Sequence, residues 1–326
     1  MRPMARSLAS FRAALLIGWI ALGLAGGGYA WAKGIPGWTA LPVIAAFCIE
    51  YPFYLVPAFP ELRERFAGAR LVVFPLLAML LPYLACCCGA VEFTPGGLAR
   101  LIALALALSL WYRVLPAHPV FDLAFLALIP AVILGKFFDA VYIPLAPQYR
   151  DLRNLILLGH ISLIASAVMA LMVERRVQET GYGFIPNGKE WRIGAMHYLY
   201  FLAIGGPLAW LLQATHYAGV KPVWVIAGTF LGMLWFVALS EEFGFRGLLQ
   251  PWMEQWGANR QTALIVTSLL FGAVHLTFRV FPNWRWAALT TVLGWCCGRA
   301  RNQAGSIRAS MVTHALVATT WRAFFA

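Results

Sequence analysis

Charge is what this chain is short of. Asp, Glu, Lys and Arg make up only 12% of its 326 residues, where a soluble globular domain carries about 25%. Carboxylates are scarcest, with 13 Asp and Glu against 25 Lys and Arg. Too few water-facing side chains remain to cover a soluble surface. Strict apolar/polar alternation is also missing, which excludes the strands of a membrane barrel. The helical H-E-x-x-H spacing of zinc proteases is absent. Cys48, Cys86, Cys87, Cys88, Cys296 and Cys297 lie inside apolar runs with no zinc-finger spacing, so they read as small buried hydrophobes and not as a disulfide framework.

What is present in quantity is hydrocarbon: 61% of residues are hydrophobic, and the mean hydropathy is +0.73. The runs predict an all-α, polytopic transmembrane helical bundle of about ten to eleven spans, because a helix satisfies its own backbone in lipid. The candidates are roughly 13–32, 38–58, 70–90, 97–115, 120–143, 153–173, 197–214, 222–245, 261–279, 285–299 and 307–325. The first follows Arg2, Arg6 and Arg12 and is too long for a cleaved leader, so a retained anchor is expected.

The net charge of +12 fits cytoplasmic loops and anionic headgroups better than nucleic acid. With the N-terminus inside, the cytoplasmic segments hold roughly 16 basic residues and the outer ones roughly 8. That bias predicts a cytoplasmic N-terminus in a multi-pass protein, expected in a bacterial plasma membrane. Glu174-Arg175-Arg176 and Pro186-Asn187-Gly188 mark the longest polar connection. The expected organisation is an N-terminal helical region over 1–173, a cytoplasmic loop over 174–196 and a core over 197–326.

The chemistry gathers in that core. Ser240-Glu241-Glu242-Phe243-Gly244-Phe245-Arg246 closes the apolar run from Val223 to Leu239. One ionisable residue in a bilayer costs about 2.5–3.5 kcal/mol on insertion scales, so two in succession need partners. Arg246 follows Glu242 by four residues, about 40° away on a helix, and can pair with it. Glu241 sits about 100° around the same helix and is left available. Further on, Phe271-Gly272-Ala273-Val274-His275 and Thr313-His314-Ala315 each place an imidazole on an apolar helix. A poorly solvated glutamate can activate water, and imidazoles can hold that water or stabilise an oxyanion.

The E-E-x-x-x-R, F-x-x-x-H and H-A order resembles the CPBP (CAAX protease and bacteriocin-processing) intramembrane proteases, also known as the Abi or Rce1-like group, over about Trp191 to Phe325. The resemblance implies an endopeptidase in which Glu241 is the base that activates water and His275 binds that water with it. It implies that His314 stabilises the oxyanion while Glu242 and Arg246 shape the site. The implied substrate is a membrane-anchored or lipid-modified peptide. Family members process the C-termini of prenylated proteins, mature peptides or confer self-immunity. One departure stands out. Four residues after the third motif's histidine the family usually carries Asn or Asp, and this chain has Ala318. Ser310, one turn before His314, is expected to offer a hydroxyl instead.

Metal-free catalysis is expected, with zinc held by Glu241, His275 and His314 as the alternative, since His₂Glu is a catalytic zinc set. The rival functions are an impaired CPBP-like immunity or scaffold protein, and a proton-coupled transporter using Glu50, Lys136, Asp139 and Glu241. Lys136 and Asp139, three residues apart, are expected to pair. Trp284, Trp286, Trp321, Phe324 and Phe325 are expected to form interfacial belts.

Overall fold

The computed structural model describes residues 2–146 and 148–325. The side chains of Arg2, Arg6, Arg150 and Arg153, which enter the charge bias, lie outside the described set. The described residues are helical almost throughout and form no multi-residue strand. The chain divides into two compact units, Met1–Val177 and Gln178–Ala326.

The first unit contains α1 (Arg2–Lys33), α2 (Gly37–Leu55), α3 (Val73–Cys87), α4 (Pro95–Val114), α5 (Pro119–Leu134) and α6 (Ile156–Met169). Local chemistry sets several starts. Thr94 Oγ1 accepts from Gly97 N at 3.0 Å with Pro95 in the first turn of α4, and His118 caps α5 ahead of Pro119. A core of Val56, Leu71, Phe74, Ala78, Ala165, Met169 and Val173 joins α2, α3 and α6. Phe53 and Phe66 meet Phe74 edge to face, with centroids 5.5 and 5.1 Å apart.

Several buried polar groups of this unit find partners inside it. The Ser162 hydroxyl lies 2.8 Å from Glu50 Oε2 and 2.9 Å from the Ala78 carbonyl, tying α6 to α2 and α3. Arg175 forks onto the fully buried Asp122 with two contacts of 2.9 Å. Two sequence expectations fail here. The run over 120–143 stops being helical at Leu134, where Gly135 precedes Lys136 in the left-handed region (φ 54°). Lys136 and Asp139 then stand exposed on the following turn, with no ion pair between them. The bend takes the two residues off a common helical face. They also stand apart in environment from Glu50, which is buried.

The second unit contains α7 (Gly188–Leu211), α8 (Val223–Gln255), α9 (Arg260–Val274), α10 (Trp284–Ala304) and α11 (Ile307–Phe324). Helix α7 starts nine residues earlier than the span expected at 197. The cause is a capping box: Asn187 Oδ1 accepts from Glu190 N at 3.0 Å, while Glu190 Oε2 accepts from Asn187 N at 2.7 Å. Glu190 also pairs with Arg308 at the start of α11, at 2.9 Å. Gly305, at φ 73°, closes α10, and Ser306 caps α11, so these two helices turn back on one another in two residues.

Helix α11 is the buried centre of this unit, packed against α7, α8 and α10. Helices α9 and α10 meet along small residues. A Cβ on Gly272 would stand 2.7 Å from the Ala287 carbonyl oxygen. Helix α8 is not wound uniformly. Wide π-helical turns at Met233–Ala238 and Phe243–Leu249 flank the α-helical turn Leu239–Glu242.

Six helical stretches are long and apolar enough to cross a bilayer: Leu8–Lys33, Gly37–Ala58, Gly68–Cys87, Pro95–Val114, Ile156–Glu174 and Val223–Gln255. The protein is an all-helical integral membrane protein. The larger expected count is not reached on length and composition. Helix α5 has 16 residues and α9 has 15, while α7 and α10 carry several charged or amide side chains.

Candidate active site

The acid pair lies on the regular turn of α8 between its two wide turns. Ser240 donates from Oγ to the Phe236 carbonyl at 2.7 Å, occupying one of the acceptors that the wide turn loosens. The next two side chains diverge. Glu242 and Arg246 are fully buried, with Arg246 Nη1 donating to Glu242 Oε1 at 3.1 Å. Arg246 Nη2 donates to the Gly294 carbonyl on α10 at 2.9 Å, an approach made possible by the missing side chain there. Glu241 keeps a third of its side-chain surface exposed.

Between the two carboxylates stands His314, 5% exposed on α11. Its Nδ1 lies 2.8 Å from Glu242 Oε1 and its Nε2 lies 3.9 Å from Glu241 Oε2. The first contact is a hydrogen bond. The second is too long for a direct one and has the reach of a water bridge. Glu241 Oε2 takes no hydrogen bond among the described residues.

His275 ends α9, and its Nδ1 donates to the Phe271 carbonyl one turn back at 2.7 Å, leaving Nε2 as the free nitrogen. Phe271 is itself fully buried and acts as a common plate. Its ring centroid lies 4.8 Å from that of His275, 5.7 Å from that of His314, and 4.3 Å from the Arg246 guanidinium carbon.

Glu241, His275 and His314 line one cavity of about 620 Å³. Glu242 and Arg246 sit behind its wall. Ser310 is also behind it: fully buried, its hydroxyl donates to the Ile307 carbonyl at 2.7 Å. The same hydroxyl is in hydrogen-bonding contact with Glu242, so Ser310 backs the acid pair and is not itself on the lining. Ala318 is on the cavity wall.

The remaining lining is mostly apolar. Trp286, Trp321 and Phe325 belong to it, with Trp286 and Trp321 4.7 Å apart between ring centroids and Phe278 stacked on Trp286 at 5.0 Å. Trp286, Trp321 and Phe325, three of the five aromatics expected only as an interfacial belt, therefore form a wall of the cavity. Sequence reasoning also passed over His216 and Arg322, both on the lining. The run Ala214-Thr215-His216-Tyr217, a short polar island, was the available signal for the first.

Glu242, Cys297 and His314 bring one potential metal-donor atom each within 4.8 Å of one another. This is a different set from Glu241, His275 and His314. Within it, Glu242 Oε1 already takes Arg246 and His314, so a cation there would meet a guanidinium.

A buried acid–arginine pair, a second acid open to an apolar cavity and two imidazoles define a polar site inside an all-helical membrane protein. Residues 222–320 match the family model described as type II CAAX prenyl endopeptidase Rce1-like, the group that the motifs of this segment resemble. The match covers less than a third of the chain, lies wholly in the second unit, and begins after α7. No curated protein and no solved structure matches the chain.

Proposed function

We propose that the protein is an intramembrane endopeptidase that hydrolyses a membrane-anchored or lipid-modified peptide with a glutamate-activated water. The observation that carries this reading is the gathering of Glu241, His275 and His314 on one largely apolar cavity, with Glu241 Oε2 taking no hydrogen bond among the described residues. Such a cavity admits water and a peptide while excluding bulk solvent.

In this reading the Glu241 carboxylate takes a proton from water held with His275 Nε2, and the resulting hydroxide adds to the peptide carbonyl. His314 donates from Nε2 to the oxyanion. Glu242, bonded to Nδ1, holds the ring in the orientation that aims Nε2 at the oxyanion. Glu241 then returns its proton to the leaving amine.

The family description points to prenylated peptides as the substrate class, and the aromatic wall of Trp286, Trp321 and Phe325 offers an isoprenoid chain its contacts. The shorter and more polar helices of the second unit, together with α5, complete the ten to eleven passes read from the sequence. The N-terminus then lies in the cytoplasm, and the host membrane is a bacterial plasma membrane.

The test uses proteoliposomes carrying a farnesylated peptide, with wild type, Glu241→Ala and His275→Ala compared in the presence and absence of chelator. Wild type cleaves, and both variants lose cleavage. Cleavage surviving both substitutions ends the assignment. Loss to chelator alone, restored by zinc, moves the reaction to a metal. The one feature favouring a non-enzymatic relative is Ala318 on the cavity wall; that reading requires Glu241→Gln to leave the cellular phenotype intact.

A further inference from the structure

A second cavity of about 550 Å³ lies in the same unit, away from the acid pair. Arg260, at the start of α9, and Arg299, near the end of α10, both line it, and no Asp or Glu does among the described residues. Neither arginine makes an ion pair among the described residues. Each is nonetheless held. Arg260 Nη2 donates to the Asn302 carbonyl at 2.8 Å, and the Arg299 guanidinium lies 5.1 Å from the Trp295 ring centroid.

Neutral polar groups complete the lining, His197 and Asn302 among them. Asn302 Oδ1 accepts from Gln250 Nε2 at 3.0 Å and from Arg301 Nη1 at 3.3 Å, which leaves the Asn302 amide N–H groups as free donors. His197 on α7 is 3% exposed yet borders the cavity. Its Nδ1 donates to the Ile193 carbonyl at 3.0 Å, so the neutral ring presents Nε2 as an acceptor. Met196 and Leu264 supply an apolar side. Two uncompensated guanidiniums call for a dianionic or monoanionic oxygen cluster. A buried acceptor and free amide donors beside them call for hydroxyls.

We propose that this cavity binds a glycerophosphate group, its phosphate between Arg260 and Arg299 and its hydroxyls on His197 and Asn302. That group is the headgroup of phosphatidylglycerol in the surrounding bilayer, or a free glycerol phosphate. The site is distinct from the proposed peptidase cavity and its test reads binding, so it stands or falls independently of proteolysis.

Native mass spectrometry of the full chain in detergent, titrated with phosphatidylglycerol, phosphatidylcholine of the same acyl chains, and glycerol 3-phosphate, measures this. Phosphatidylglycerol should bind at least roughly tenfold more tightly than phosphatidylcholine, and Arg260→Gln/Arg299→Gln should abolish the difference. Arg192→Gln, an exposed arginine outside the cavity, should leave it unchanged. Should the double variant fail to fold, Gln303→Glu, which adds an anion to the lining while keeping both arginines, should weaken the same binding. Tight binding of glycerol 3-phosphate without phosphatidylglycerol keeps the site and assigns the free ester as its source. Equal retention of both lipids with no binding of glycerol 3-phosphate, or undiminished phosphatidylglycerol binding in the folded variants, overturns the proposal.

Discussion

His314 and Glu242, 72 residues apart in sequence, share a hydrogen bond of 2.8 Å in the buried centre of the second unit. That bond fixes the imidazole by one nitrogen and turns the other toward Glu241. The two adjacent acids therefore do different work, one holding the ring and one facing the cavity.

Their substitutions should separate accordingly. Glu242→Gln removes the counter-charge of the fully buried Arg246 and should cost about 3–5 kcal/mol of stability. Thermal denaturation in detergent should show a large fall in midpoint. Glu241→Gln, at a partly exposed carboxylate, should leave the midpoint nearly unchanged while lowering cleavage by at least about 10²-fold. Equal destabilisation by the two would contradict the division of labour.

Ala318 gives a gain-of-function test. Ala318→Asn places an amide on the cavity wall one turn beyond His314. If an oxyanion donor is what the position lacks, kcat should rise, since one such donor is worth about 10²–10³ in rate where it is well aimed. KM should change little. A variant that only weakens substrate binding would argue that the wall at Ala318 serves fit.

Gly272 tests how closely α9 must approach α10. A methyl there would meet the Ala287 carbonyl oxygen at 2.7 Å, and backbone cannot yield cheaply. Gly272→Ala should push α9 outward, carrying Phe271 and His275 with it. Lower thermal stability together with lower kcat is the expected result, and wild-type behaviour in both would show that the helices have slack.

Phe271 tests the plate. Phe271→Leu keeps a buried apolar group but loses the flat face shared by His275, His314 and Arg246. Activity should fall more steeply than stability, and Phe271→Tyr should recover more of it than Phe271→Leu if ring shape is what matters.

Much of this site was readable in one dimension because its parts lie close together in sequence or carry unusual chemistry for their surroundings. Glu242 and Arg246 pair at helical spacing, and charges in an apolar run announce themselves. The segment over 188–196 was misread because Pro186-Asn187-Gly188 looks like a turn, although Asn187 and Glu190 spell the capping box that starts α7. The aromatic wall was missed for a different reason: tryptophan near a helix end suits an interface and a cavity mouth equally, and only tertiary packing brings Trp286 and Trp321 together.

The wide turns in α8 have a consequence for how this segment can vary. A regular helix advances about 100° per residue, and a π turn absorbs an extra residue without lengthening the climb in proportion. Deleting one residue between 233 and 238 would let the winding relax and swing the acids toward another side of the axis, with hydrophobic content hardly altered. Residue count, more than greasiness, is thus what this stretch has to preserve, and a substitute span of matching apolarity but uniform pitch would aim both acids at the wrong neighbour.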